Sequence, residues 1–103
     1  MNSIPNKYDL NFIETKHRIH AYCPLGEKTY TANITIQFKP GEKIPDYISL
    51  DEEIMSLNDK DLLIEDLICK VCEVMASINP VTCTVTVKVE DASHCPVTIT
   101  KSI

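Results

Sequence analysis

Residues 30–39 read Tyr30-Thr31-Ala32-Asn33-Ile34-Thr35-Ile36-Gln37-Phe38-Lys39, and this stretch decides the fold. Tyr30, Ala32, Ile34, Ile36 and Phe38 alternate with Thr31, Asn33, Thr35, Gln37 and Lys39. Successive side chains of an extended chain point to opposite sides, so a period of two predicts a strand with one buried and one wet face. Pro40 and Gly41 then end it.

Toward the N-terminus a second extended pattern begins at Ile13. Ile13, Thr15, His17, Ile19, Ala21 and Cys23 share one face, and Glu14, Lys16, Arg18 and His20 share the other. The segment from Cys23 to Lys28 reads as a turn, with Pro24 and Gly26 as its breakers. The two runs predict a long antiparallel hairpin. Residues 1–11 are polar and are expected to form a flexible tail.

Toward the C-terminus, residues 45–57 predict one short helix. Asn58 or Asp59 is expected to cap a longer one, where Asp59 and Asp61 suit the positive N-terminal end. Leu63, Ile64, Leu67, Ile68, Val71, Val74, Met75 and Ile78 recur at spacings of three and four, which is one apolar stripe. Asn79-Pro80 stops this helix. Val81, Cys83, Val85, Val87 and Val89 then alternate with Thr82, Thr84, Thr86 and Lys88. After a turn at Glu90–His94, Val97, Ile99 and Lys101 alternate with Thr98 and Thr100. The order β-β-α-α-β-β predicts an α+β domain with a four-stranded antiparallel sheet and helices covering one face.

At 103 residues the chain is expected to form a single domain. Hydrophobic residues make up 44% and charged residues 24%, a balance that builds a modest core. No apolar run is long enough to span a membrane, and the first residues lack the pattern of a secretory signal. Five cysteines, an odd number in no framework, point to a reducing, cytoplasmic setting. The net charge of −5 argues against a dedicated nucleic-acid surface, although an assembly of copies concentrates any local basic patch.

Several residues carry candidate chemistry. Cys23 ends a strand where a turn begins; it is either a nucleophile or a small residue continuing the inward face. Glu65, beside Asp66, follows Ile64 at the edge of the apolar stripe. There it either accepts hydrogen bonds from a guanine-like ring edge or is a solvated acid at a helix start. His17 and Cys23 share a strand face while His20 points away, so no metal site is expected. Cys69 and Cys72 form a C-x-x-C in mid-helix, where a redox pair gains nothing from the helix dipole. His94-Cys95-Pro96 reads as hairpin punctuation, with His94 a surface or interface group. With Gly26 and Gly41 as the chain's two glycines, there is no phosphate-cradling loop.

From about Ile13 onward the chain resembles the nitrile reductases of queuosine biosynthesis, tunnelling-fold enzymes that act on 7-cyano-7-deazaguanine. The residues carrying the resemblance are Cys23-Pro24, Ile34-Thr35-Ile36-Gln37-Phe38-Lys39-Pro40, Ser49-Leu50, Glu65-Asp66 and Asn79-Pro80. The resemblance implies that Cys23 attacks the nitrile carbon to form a thioimide, that Glu65 anchors the deazaguanine edge, and that Ser49 and Leu50 lie in the substrate site. It implies a homo-oligomeric ring, with rings stacked face to face and sites between subunits.

The departures are specific. Tyr30 stands where the family has a proton-moving aspartate, and Ile64 where it has a histidine. Tyr30 offers a hydroxyl there, but a phenol is a weak base at neutral pH. The lysine-rich stretch that helps bind NADPH phosphates is replaced around Ser49-Leu50 by Asp51-Glu52-Glu53, whose charges repel a phosphate. No NADPH cofactor is therefore expected. A shorter branch also lacks that stretch; it resembles this chain in length and forms an amidine on transfer RNA, giving archaeosine. Four readings follow. The chain processes the nitrile at Cys23 without reduction, in the manner of the amidine-forming transferases, with direct transfer-RNA binding left open. Or it is an inactive purine- or pterin-type binding module, or a structural ring subunit. A true NADPH-dependent reductase with a divergent cofactor site is the remaining alternative.

Overall fold

The computed structural model describes residues 1–92 and 94–103. Of the turn expected at Glu90–His94, Ser93 lies outside them. Along the described residues the order is β1 (Ser3–Pro5), β2 (Ile13–Cys23), β3 (Lys28–Lys39), β4 (Lys43–Pro45), α1 (Tyr47–Met55), α2 (Ile64–Ala76), β5 (Thr82–Val89) and β6 (Val97–Ser102). The four long strands form one antiparallel sheet in the order β2-β3-β5-β6. The alternation of residues 30–39 is realised except at Thr31, which was expected on the wet face and is buried, its hydroxyl 3.1 Å from His20 Nδ1 and its amide donating to Asp91. Tyr30, Ala32, Ile34, Ile36 and Phe38 are buried, and the intervening Asn33, Gln37 and Lys39 are exposed.

The apolar sides of these strands are covered by α1 and α2. Leu50 and Ile54 enter the core from α1; Leu67, Val71 and Met75 enter it from α2. Each fully buried side chain of this size contributes about 1.5–3 kcal/mol through removal from water. The opposite face of the sheet stays wet and is rich in threonine and cations. It carries Lys16, Arg18, Thr35, Lys39, Thr86 and Lys88.

Two differences from the sequence reading are local. Within the expected tail, β1 pairs with β4, and Asn2 donates to the Ser49 hydroxyl at 2.8 Å. A three-residue strand is too short to announce itself by alternation. Next, the long helix starts at Ile64, after Asn58 and Asp59, and its N-cap Leu63 makes no side-chain cap. Asn58 accepts instead from the His20 amide at 2.7 Å, and Asp59 adopts φ 62° while its amide donates to the His20 carbonyl at 2.7 Å. Residues 58–62 thus lie along the free edge of β2, with Tyr22 bridged to Asp61, because an edge strand's unpaired groups need partners. The short helix expected within residues 45–57 forms as α1 and begins at the Asp46 cap, whose carboxylate accepts from the Ile48 amide at 3.3 Å.

Gly41 is required by a close approach: a Cβ there would stand 2.7 Å from the carbonyl oxygen of Asn79. That contact packs the β3–β4 turn onto the end of α2, where Asn79 itself turns the chain at φ 52°.

Candidate functional site

The antiparallel register sets three things at one end of the sheet. Cys23 pairs with Lys28 across the β2–β3 turn, and Ala32 pairs with Val89, so the β5–β6 turn lies at the same end. The start of α2 arrives there too, because Leu62 donates its amide to the Tyr22 carbonyl at 3.0 Å. Cys23, Glu65 and His94 are therefore brought to one groove from three separate elements.

That groove has a volume of about 500 Å³ and is walled by Leu25, Leu63, Ile64 and Val97. Its polar lining includes Cys23, Glu65, His94 and Cys95. Apolar walls with few polar groups are the usual make-up of a small-molecule site of this size. Adjoining it is a smaller, narrower cavity of about 20 Å³, lined in part by Cys23, Lys28, Tyr30 and His94. The smaller space has room for about one water; a fused ring system requires the larger.

Cys23 is partly exposed, and the Gly26 amide points at its sulfur at 3.4 Å, which orients the thiol within the turn. The turn is closed by the Glu27 amide on the Cys23 carbonyl at 2.9 Å, with Glu27 at φ 53°. Glu65 is exposed in the first turn of α2, where a carboxylate suits the helix dipole.

Tyr30, whose hydroxyl the sequence offers to the chemistry, ties that hydroxyl to the backbone. Its ring is buried and its hydroxyl donates to the Leu62 carbonyl at 2.6 Å. Burial pushes its pKa up to about 12, and the charges of Cys23, Glu65 and Asp66 add to the shift. Such a phenol stays protonated at neutral pH. It holds the segment that leads into α2, and so acts on the position of Glu65.

The structure does not bring Ser49 and Leu50 to this groove within the chain. Leu50 is fully buried in the core, and the Ser49 hydroxyl accepts from Asn2. Leu50 is read more simply as packing, since its side chain has no surface to offer a ligand. Nearby, His17 Nδ1 lies 2.7 Å from the Asp51 carboxylate and its Nε2 lies 2.9 Å from the Thr15 hydroxyl, which ties β2 to α1. Among the described residues no three His, Cys, Asp or Glu side chains group to hold a metal. Cys69 is exposed and Cys72 buried on α2, and all five cysteines are free thiols.

The sequence reads His94 as hairpin punctuation and a surface or interface group, not as a residue of this groove. The available signal was topological: a four-stranded antiparallel sheet whose order includes β3 beside β5 puts the β5–β6 turn next to the β2–β3 turn.

No helix among the described residues is long and apolar enough to cross a membrane. No protein-family model matches the chain, and no curated protein matches it in sequence. In three dimensions the chain is similar to the crystal structure of the archaeosine synthase QueF-Like in its apo form. The TM-score is 0.81 at 19% sequence identity, over 92% of this chain and 95% of that one. This likeness establishes the architecture as the tunnelling fold.

Proposed function

We propose that the chain binds 7-cyano-7-deazaguanine in the groove between α2 and the two turns, and that Cys23 adds to its nitrile. The observation that carries the proposal is that Cys23 and Glu65 line one groove of about 500 Å³. A thiol and a carboxylate lining one apolar slot match a flat ring with a hydrogen-bonding edge and an electrophilic substituent. The sequence resemblance to the nitrile-processing family, and the shared fold with an archaeosine synthase, support the same ligand class.

The reaction at Cys23 is addition, giving a thioimide, without hydride transfer. Asp51, Glu52 and Glu53 stand on α1 where the resemblance places phosphate-binding lysines. Asp51 engages His17, and Glu53 engages the N-terminal amine at 3.2 Å. These carboxylates do not suit NADPH, and no step passes through it. The thioimide is then open to a nitrogen nucleophile, as amidine formation requires.

Copies of the chain join through their sheet edges into a ring in this reading. Among the described residues β6 has no partner on its outer side, and β2 is covered only near His20–Tyr22. Unpaired edges of this kind call for a neighbour. The second reading, a binding module that holds the ring without reacting, is favoured by one observation: Tyr30, in place of an aspartate, is committed to Leu62.

Intact-mass measurement after incubation with 7-cyano-7-deazaguanine separates the two. Addition expels nothing, so the adduct is heavier by the full ligand mass in wild type and absent in Cys23→Ala. Saturable binding with no adduct establishes the binding module instead.

A further inference from the structure

The smaller cavity and the open groove share three lining residues: Cys23, Ile64 and His94. Among the described residues, Cys23 and His94 are thus the two titratable groups common to both spaces. They come from different turns, and the sheet register holds those turns at the same end.

The tautomer of His94 follows from its partner. Nδ1 lies 2.7 Å from the Cys95 carbonyl oxygen. A carbonyl only accepts, so Nδ1 carries the hydrogen and, in the neutral ring, Nε2 holds a lone pair. The turn bearing His94 is itself fastened, since the Asp91 carboxylate accepts from the Thr31 amide at 2.8 Å. Other charged or titratable groups line the same spaces: Lys28 and Tyr30 in the cavity, and Glu65 and Cys95 in the groove. Tyr30 is spent on Leu62, and Lys28 carries no lone pair when charged. Glu65 stands at the start of α2, suited to the ring edge rather than to the sulfur.

We infer that His94 is the proton-transfer group of this site, taking the proton of the Cys23 thiol and passing it to the ligand. The inference rests on the proposed addition at Cys23 and assigns it a base. The Cys23 S–H bond breaks and its proton goes to Nε2. A sulfur electron pair forms the C–S bond to the nitrile carbon while one C≡N bonding pair moves onto nitrogen. That nitrogen takes the proton from Nε2. Nothing is oxidised or reduced, no group leaves, and the imidazole ends neutral.

His94→Asn is the informative variant, because its side-chain amide keeps a donor near the Cys95 carbonyl while removing Nε2. Two rates are measured against pH: alkylation of Cys23 by iodoacetamide, followed on the Cys23 peptide, and adduct formation with 7-cyano-7-deazaguanine. Both are expected to fall about 100-fold in His94→Asn at neutral pH. The acid limb of the wild-type pH profile is expected to vanish. Circular dichroism matching wild type assigns the loss to chemistry rather than to folding. If alkylation falls but the nitrile adds to neither protein, the Cys23–His94 pair stands and the ligand assignment fails. Alkylation at the wild-type rate and pH profile in His94→Asn overturns the inference, whatever the nitrile does.

Discussion

The Asp91 carboxylate accepts the amide hydrogen of Thr31 at 2.8 Å, and this bond helps fasten the β5–β6 turn to the strand that begins beside Cys23. It satisfies a backbone donor just beyond the end of the β3–β5 ladder, where Ala32 pairs with Val89. It also fixes the loop from which His94 reaches the groove.

Asp91→Ala is expected to free the Thr31 amide and loosen that turn. Hydrogen exchange at Thr31 speeds up, and adduct formation at Cys23 slows, while the core amides of β3 keep their protection. The hydrogen bonds from Thr31 hold the Asp91 carboxyl below the usual carboxylate range. A depressed pKa favours the folded state above the ordinary carboxylate range, and that contribution is lost as pH falls through the folded value. The Thr31 amide should therefore stay protected through mild acid and become exchangeable only below that range. Exchange that tracks ordinary carboxylate titration would contradict this.

Glu65→Gln keeps the shape of the side chain but removes its charge and turns half of its accepting end into a donor. Affinity for 7-cyano-7-deazaguanine, measured by calorimetry, is expected to drop by about 1.5–3 kcal/mol, the range for a hydrogen bond to a charged group. Stability should stay within about 0.5 kcal/mol of wild type, because Glu65 is exposed. Unchanged affinity removes Glu65 from the site.

Tyr30→Phe leaves the Leu62 carbonyl without its donor and is expected to destabilise the fold by about 1–3 kcal/mol. It should weaken ligand binding as well, because the start of α2 shifts, yet adduct formation at saturating ligand should persist. A complete loss of addition in a folded Tyr30→Phe protein would return Tyr30 to the chemistry.

Alkaline pH should unfold the protein early. Burial pushes the Cys83 thiol up to about 11, with Cys72 adding to it, and burial with neighbouring charges pushes Tyr30 up to about 12. Groups raised in the folded state stabilise it fully below their unfolded values, about 9 and 10. That stabilisation is lost as pH rises toward 11 and 12. Thermal melts between pH 8 and 12 should show a falling Tm, and Cys83→Ala should flatten the lower part of the fall.

Leu50→Ala tests the assignment of that residue to packing. A fully buried leucine replaced by alanine costs about 2–5 kcal/mol. Chemical denaturation measures the loss, and any molecules still folded should bind the ligand with unchanged affinity. Weaker binding with little loss of stability would return Leu50 to the site.

How much of this was legible in sequence depends on how local the cause is. Alternation is a local property, so β2 appears at Ile13–Cys23 and the apolar face of β3 appears residue by residue. The stripe of α2 is equally local. The path of residues 58–62 was not legible, because their partners are backbone groups of His20 and Tyr22, about forty positions away. Asn58 and Asp59 carry helix-capping chemistry, and the free edge of β2 claimed it first. The thiol and the carboxylate were both found as candidates from their positions at element ends. Their convergence with His94 needed the strand order. Ile64, where the resembling family has a histidine, lines the same two spaces as His94, so the imidazole reaches them from another element.

The most direct measurement is a carbon-13 spectrum of the protein with 7-cyano-7-deazaguanine labelled at the nitrile carbon. Addition converts that carbon from a triple-bonded nitrile to a double-bonded thioimide, so its resonance should leave the nitrile range in wild type and remain there in Cys23→Ala. A bound, saturated wild-type protein whose labelled carbon still resonates as a nitrile contradicts the account.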